Sequence, residues 1–118
     1  MSQLGDDASV TAQGLKTLWK HVATSKAVMP WPKPGKPPSE RTRTAEVYVC
    51  RAGARVEYAV NGARFRRLLP DVQQRALVVA ALRHQGLVKM DGNNPMSQPQ
   101  ILGRADKRRF SVVSREKP

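Results

Sequence analysis

Apolar positions along the chain change their spacing several times, and each change predicts an element. Val10, Leu15, Leu18, Trp19 and Val22 recur at three- and four-residue steps, which predicts a helix from Val10 to about Ala23, N-capped by Ser9. Lys16 and Lys20 share another of its faces, and Gly14 weakens it by about 1 kcal/mol relative to alanine. From Glu46 the spacing becomes alternation. Glu46–Cys50 and Arg55–Val60 are β-prone runs flanking Arg51-Ala52-Gly53-Ala54, which predicts a hairpin with one apolar face carrying Val47, Val49, Val56, Tyr58 and Val60. Asn61-Gly62 then turns the chain into a short basic helix, Ala63–Leu69.

Pro70 and Asp71 open the next helix, Val72 to Gln85, with Asp71 placed to cap its first turn and Gly86 to end it. Ala76–Leu82 is apolar all round the axis, so the middle of this helix is expected to be enclosed on most sides. Leu87–Met90 follows, then a polar turn-rich loop, Asp91–Pro99, and a basic run, Lys107–Val113, expected to pair with Leu87–Met90 as a two-stranded ribbon. The expected fold class is α+β: a winged-helix-like domain of three helices, a β-hairpin and a two-stranded wing.

The same pattern divides the chain. Residues 1–8 are polar and expected to be disordered, 9–24 form the first helix, 25–44 a proline-rich basic linker or loop, and 45–115 the winged-helix-like unit. Pro30-Trp31-Pro32-Lys33-Pro34-Gly35-Lys36-Pro37-Pro38 excludes helix and central strand and predicts an extended connector. Lys26, Lys33, Lys36, Arg41 and Arg43 would also let it act as a basic arm, with Trp31 anchoring it to the core.

Composition narrows the function classes. The 118 residues carry 21 Lys+Arg against 9 Asp+Glu, a formal charge of +12, which favours a polyanionic partner such as nucleic acid. The longest apolar run, Ala76–Leu82, is far short of the roughly 20 residues that span a bilayer, so no membrane role is expected. The polar start, Met1–Asp7, is no secretory signal, and the lone Cys50 fits a reducing, cytoplasmic setting.

The order from Asn61 to Val113, with Arg64-Phe65-Arg66-Arg67-Leu68-Leu69, Asp71–Leu82, Gln85-Gly86-Leu87-Val88 and Arg108-Arg109-Phe110-Ser111-Val112-Val113, resembles the C-terminal winged-helix domain of mobile-element DNA-processing proteins. Two groups share it: the helicase-primase family of phages, plasmids and chromosomal islands, and the TraI-type conjugative relaxases. The resemblance covers about residues 45 to 115; the proline-rich stretch and first helix depart from it, and no helicase, primase or nickase motif is present. It implies a nucleic-acid-binding accessory module of a larger helicase, primase or relaxase machine.

A catalytic constellation is not found. Lys36 lacks the glycine frame of a phosphate loop, the carboxylates form no evident metal pair, and Tyr48 and Tyr58 lack the histidine or arginine setting of a nucleophile. Cys50 reads as a small strand residue and His84 as a partner of its helix dipole. Neither metal nor cofactor is expected. The candidate nucleic-acid contacts are Arg64, Arg66 and Arg67 on the short helix, Gln73, Gln74 and Arg75 at the start of the next, and Arg104, Lys107, Arg108 and Arg109 on the wing. Arg64 and Arg67 share one side of their helix, with Phe65, Leu68 and Leu69 opposite. Arginine and lysine neutralise phosphates; only the two glutamines and Arg75 are placed to reach base edges, so weak base preference is expected. The expected function is a non-enzymatic module for duplex DNA. A protein-interaction or dimerisation winged helix and an RNA-binding protein are the alternatives.

Overall fold

The computed structural model of the chain describes residues 7–32 and 37–116. The tail expected to be disordered lies outside these residues, except Asp7 and Ala8, and so does Lys33–Lys36 of the proline-rich stretch. Four helices and five strands follow in the order α1 (Asp7–Thr24), β1 (Val28–Pro30), α2 (Glu40–Arg43), β2 (Val47–Ala52), β3 (Arg55–Asn61), α3 (Gly62–Leu68), α4 (Val72–His84), β4 (Met96–Ser97) and β5 (Phe110–Glu116).

The strands form one sheet in the order β1-β2-β3-β5-β4. β1 runs parallel to β2, with Val28 opposite Val47. β2 and β3 are the expected hairpin, with Val47 opposite Val60; Gly53, at φ +61°, takes the left-handed first position of its two-residue turn. β5 lies antiparallel between β3 and β4, with Tyr58 opposite Val113 and Met96 opposite Ser111. The α+β class holds. The expected set of three helices beside a separate hairpin and wing does not: among the described residues there are four helices, and the basic run leads into an interior strand of the sheet. The reason is in β5 itself. Phe110, Val112 and Val113 are all but fully buried, so both faces of this strand need cover, which a two-stranded ribbon in water does not supply.

β5 has an interrupted partner on its far side. Val88 bridges Val113, and the Lys89 N–H donates to the Val112 carbonyl at 2.9 Å. The chain then makes an excursion at Asp91–Pro95, closed by Asp91 and Asn94 on each other's backbone, and resumes pairing at Met96.

Helices α1, α3 and α4 cover one face of the sheet, around Leu18, Val22, Phe65, Val78 and Leu82. The first helix, set apart from the 45–115 unit by its sequence position, is thus part of the same core. Gly14 explains how: an added Cβ there would lie 2.5 Å from Cγ2 of Val78 and 3.2 Å from Cγ of Gln74, so α1 and α4 touch at this point. Helix α4 is bounded as its sequence predicts, whereas α1 begins at Asp7, so the expected cap Ser9 lies within its first turn and Asp7 and Ala8 are helical rather than part of a disordered tail. The Asp71 carboxylate accepts from the Gln74 N–H at 2.9 Å. Gly86, at φ +69°, closes α4 with Leu87 N–H on the Leu82 carbonyl and Gly86 N–H on the Arg83 carbonyl, the Schellman pairing.

The opposite face is covered without a long helix. Tyr48, Ala59, Phe110 and Val112 pack under Ile101 and Leu102, with Ala45, Met29 and Trp31 beside them. Trp31 therefore anchors the proline-rich segment, its N–H donating to the Val49 carbonyl at 2.8 Å. Pro30 sits at the end of β1 on the sheet edge, where a missing N–H is tolerated.

The middle of α4 is not enclosed as expected. Val78 and Leu82 are buried, whereas Ala76 and Ala80 are exposed. Alanine is small enough to face water at little cost.

Gly14→Ala is expected to lower stability by about 1–2 kcal/mol. The overpacking against the fully buried Val78 outweighs the gain of about 1 kcal/mol in helix propensity. Urea denaturation reads the sign directly, and a more stable variant would show that the two helices separate freely.

Candidate nucleic-acid interface

Helix α3 starts where β3 ends, and this puts its arginines at one end of the sheet. Asn61 caps it, its Oδ1 accepting from the Ala63 N–H at 3.0 Å, and the Gly62 N–H donates to the Arg109 carbonyl at 3.2 Å. The arginines of α3 and the segment leading into β5 are thereby neighbours, although more than 40 residues separate them in sequence. The same end holds the start of β2 and the one-turn helix α2, whose Arg41 and Arg43 are exposed.

The three α3 arginines have different surroundings. Arg64 and Arg67 share the side expected of them, and both reach Glu46, at 3.5 and 2.6 Å. The Nε–H of Arg64 also donates to Nε2 of His21 at 3.0 Å, which requires His21 to be neutral with its proton on Nδ1. Burial, then the positive charge of Arg64, holds the His21 imidazolium pKa below its ordinary value. Arg66 points away from Glu46, into a groove beside α4.

The α4 candidates divide as well. Gln73 is exposed. Gln74 donates through Nε2 to the Val10 carbonyl at 3.1 Å, tying α4 to α1. Arg75 donates through Nη1 to the Leu69 carbonyl at 2.8 Å, bracing the corner between α3 and α4, while its side chain also lines the groove.

Among the wing candidates, Arg104 and Lys107 are exposed, and Arg109 reaches Asp91 at 3.6 Å and the Met96 carbonyl at 3.4 Å. Arg108 is committed to the interior. Its Nε donates to Asp106 Oδ1 at 2.9 Å and Nη2 to Asp106 Oδ2 at 3.0 Å, a bidentate pair. It also donates to the Ala45 carbonyl and the Tyr48 hydroxyl, and its guanidinium lies 5.2 Å from the Phe110 ring centre and 5.5 Å from that of Tyr48. The alternation Lys107 and Arg109 outward, Arg108 and Phe110 inward follows the pleat.

Asp106 was not singled out from the sequence. Its side chain is 4 % exposed, and its carboxylate also accepts from the Leu102 and Arg108 N–H groups. The Arg108 side chain holds the Asp106 carboxyl below its usual range, and Asp106 raises the arginine in return. The Asp-x-Arg spacing was the one available signal, since an aspartate two residues before an arginine can bond both its N–H and its side chain.

Exposed cations gathered at this end of the sheet are therefore Arg41, Arg43, Arg66, Arg67, Lys107 and Arg109. Among the described residues no group of three His, Cys, Asp or Glu side chains is placed to hold a metal ion, and no helix is long and apolar enough to cross a membrane. Set beside protein-family models, curated proteins and solved structures, the chain matches none of them.

Two outcomes follow. Asp106→Asn is expected to cost about 2–3 kcal/mol, because it leaves the partly buried Arg108 without its counter-ion. The Asp106 pKa is depressed on folding, so its contribution is fully present above about pH 4, its unfolded value, and is lost as pH falls through the lowered folded value. Denaturation at about pH 7 and along a descending acid series checks both, the gap between wild type and variant narrowing as the pH passes below that folded value. The His21 pKa is also depressed, so this group favours folding fully above about pH 6.5 and progressively less as pH drops through its folded value. His21→Gln, which keeps an acceptor for Arg64, is expected to flatten the stability profile between about pH 7 and pH 5.

Proposed function

We propose that the chain is a non-enzymatic, cytoplasmic nucleic-acid-binding module of the winged-helix type, gripping duplex DNA mainly through its phosphates. The observation that carries this reading is the basic end of the sheet. Arg66 and Arg67 of α3, Lys107 and Arg109 before β5 and Arg41 and Arg43 of α2 present flexible cations on one side of a protein of net charge +12.

The winged-helix reading draws on connectivity. Helix α1, strand β3, helices α3 and α4, then β4 and β5, with the sheet order β3-β5-β4, follow the helix, strand, helix, helix, strand, strand path of a winged helix. On this reading β1, α2 and β2 are additions along the open edge of β3. Helix α4 occupies the recognition position, and the segment between β4 and β5 is a wing folded back on the sheet. With Gln74 and Arg75 both bonded within the fold, Gln73 is the exposed member of the three base-edge candidates, which favours binding with little sequence preference. A place as an accessory domain in a mobile-element helicase, primase or conjugative relaxase follows from the sequence resemblance.

Fluorescence anisotropy of labelled duplex, single-stranded DNA and hairpin RNA, titrated at several salt concentrations, tests it. Duplex is expected to bind most tightly, with a logarithmic salt slope of about −3.6 to −5.4 for four to six neutralised phosphates. The variant Arg66→Ala, Arg67→Ala, Lys107→Ala, Arg109→Ala is expected to weaken binding equally for all sequences and to flatten the slope by up to about 3.6. Unaltered affinity in this variant would sink the assignment, and preference for the RNA hairpin would move it to RNA.

A further inference from the structure

A groove of about 790 Å³ runs along the outer flank of α4. One wall is the helix itself, presenting Val72, Ala76, Val79 and Ala80; the other is the excursion from Met90 to Met96, with Phe65 at one end. Val72 is 69 % exposed, the large apolar side chain most open to water among the described residues. The two methionines are flexible thioethers, which adapt to varied apolar partners. Arginines stand around this apolar floor: Arg66, Arg75 and Arg83 line it. No carboxylate lines it among the described residues, and Asp91, next to Met90, is 3.6 Å from Arg109.

We propose that this groove docks an acidic amphipathic helix of a partner protein, its apolar residues seated along α4 and its carboxylates meeting Arg66, Arg75 and Arg83. The spacing of the wall residues, one and two turns apart on α4, is that of a helix face which receives another helix. Charge selects the occupant. A second copy of this chain would bring its own excess of positive charge, +12 per copy, against the same cations. A nucleic-acid strand would satisfy the arginines but place polar base edges on methyl groups and thioethers, leaving their hydrogen bonds unmade. An acidic helix with leucine-type anchors satisfies both the floor and the rim. The proposal does not rest on nucleic-acid binding, although the two surfaces adjoin at Arg66.

The probe is a labelled synthetic helix with leucines at i, i+3, i+4 and i+7 and glutamates on its other faces, followed by anisotropy against the whole chain. Two control peptides accompany it, one with lysine for each glutamate and one with serine for each leucine. The test variant is Ala76→Gln with Ala80→Gln, which fills the groove from two exposed helix positions and leaves the charge unaltered. The expected result is saturable binding of the leucine–glutamate peptide, about tenfold or more weaker in the variant and for both controls. Binding of the serine control as tight as that of the probe, an unaltered affinity in the variant, or no binding of the probe at all would each overturn the proposal. The variant Arg67→Ala, Lys107→Ala, Arg109→Ala, none of whose sites lines the groove, is expected to lose duplex binding and to keep the peptide, which separates this proposal from the earlier reading.

Discussion

The guanidinium of Arg108 fastens the segment between β4 and β5 to the sheet. It spans Asp106, the Tyr48 hydroxyl and the Ala45 carbonyl while lying against the rings of Tyr48 and Phe110, so it joins the covering loop, the start of β2 and the start of β5 in one contact set. The Tyr48 hydroxyl in turn donates to the Thr42 carbonyl at 2.5 Å, which brings in α2. A partly buried charge is tolerable here because its counter-ion takes two of its N–H donors and the Ala45 carbonyl and Tyr48 hydroxyl take two more. With this set in place Ile101 covers Phe110 and Val112, and the second face of the sheet is closed without a long helix.

On the other face Gly14 draws α1 tight against α4. The outer flank of α4 and the excursion from Met90 to Met96 form the walls of the groove. The groove and the basic end of the sheet are thus products of the same arrangement. α3 contributes Phe65 and Arg66 to the groove and turns Arg64 and Arg67 toward Glu46. One carboxylate and one neutral imidazole moderate two of the three cations, and Arg66 is left exposed at the groove.

Much of the local structure was legible in the sequence. Periodicity located α1 and the hairpin strands, and Asp71 and Gly86 marked the ends of α4. These are properties of short stretches, fixed by backbone geometry and by hydrogen bonds within a few residues. The sequence likewise determined the surplus of positive charge and the apolar excess of α4, since both are simple sums over residues.

Only the tertiary structure decided how these pieces are used. Whether the strand after Lys107 is half of a free ribbon or the centre of a sheet depends on β3, some fifty residues away, and no local pattern records that pairing. Whether an arginine faces a phosphate or an internal carboxylate depends on what packs against it. Arg108 and Arg109 are adjacent and chemically identical, yet one is held by Asp106 and two rings while the other lies at the surface. The enclosure of Ala76–Leu82 failed as an expectation for the same reason. An all-round apolar helix demands cover, but cover comes from contacts such as that of Gly14 with Val78, which join residues distant in sequence and exist only once the chain is folded.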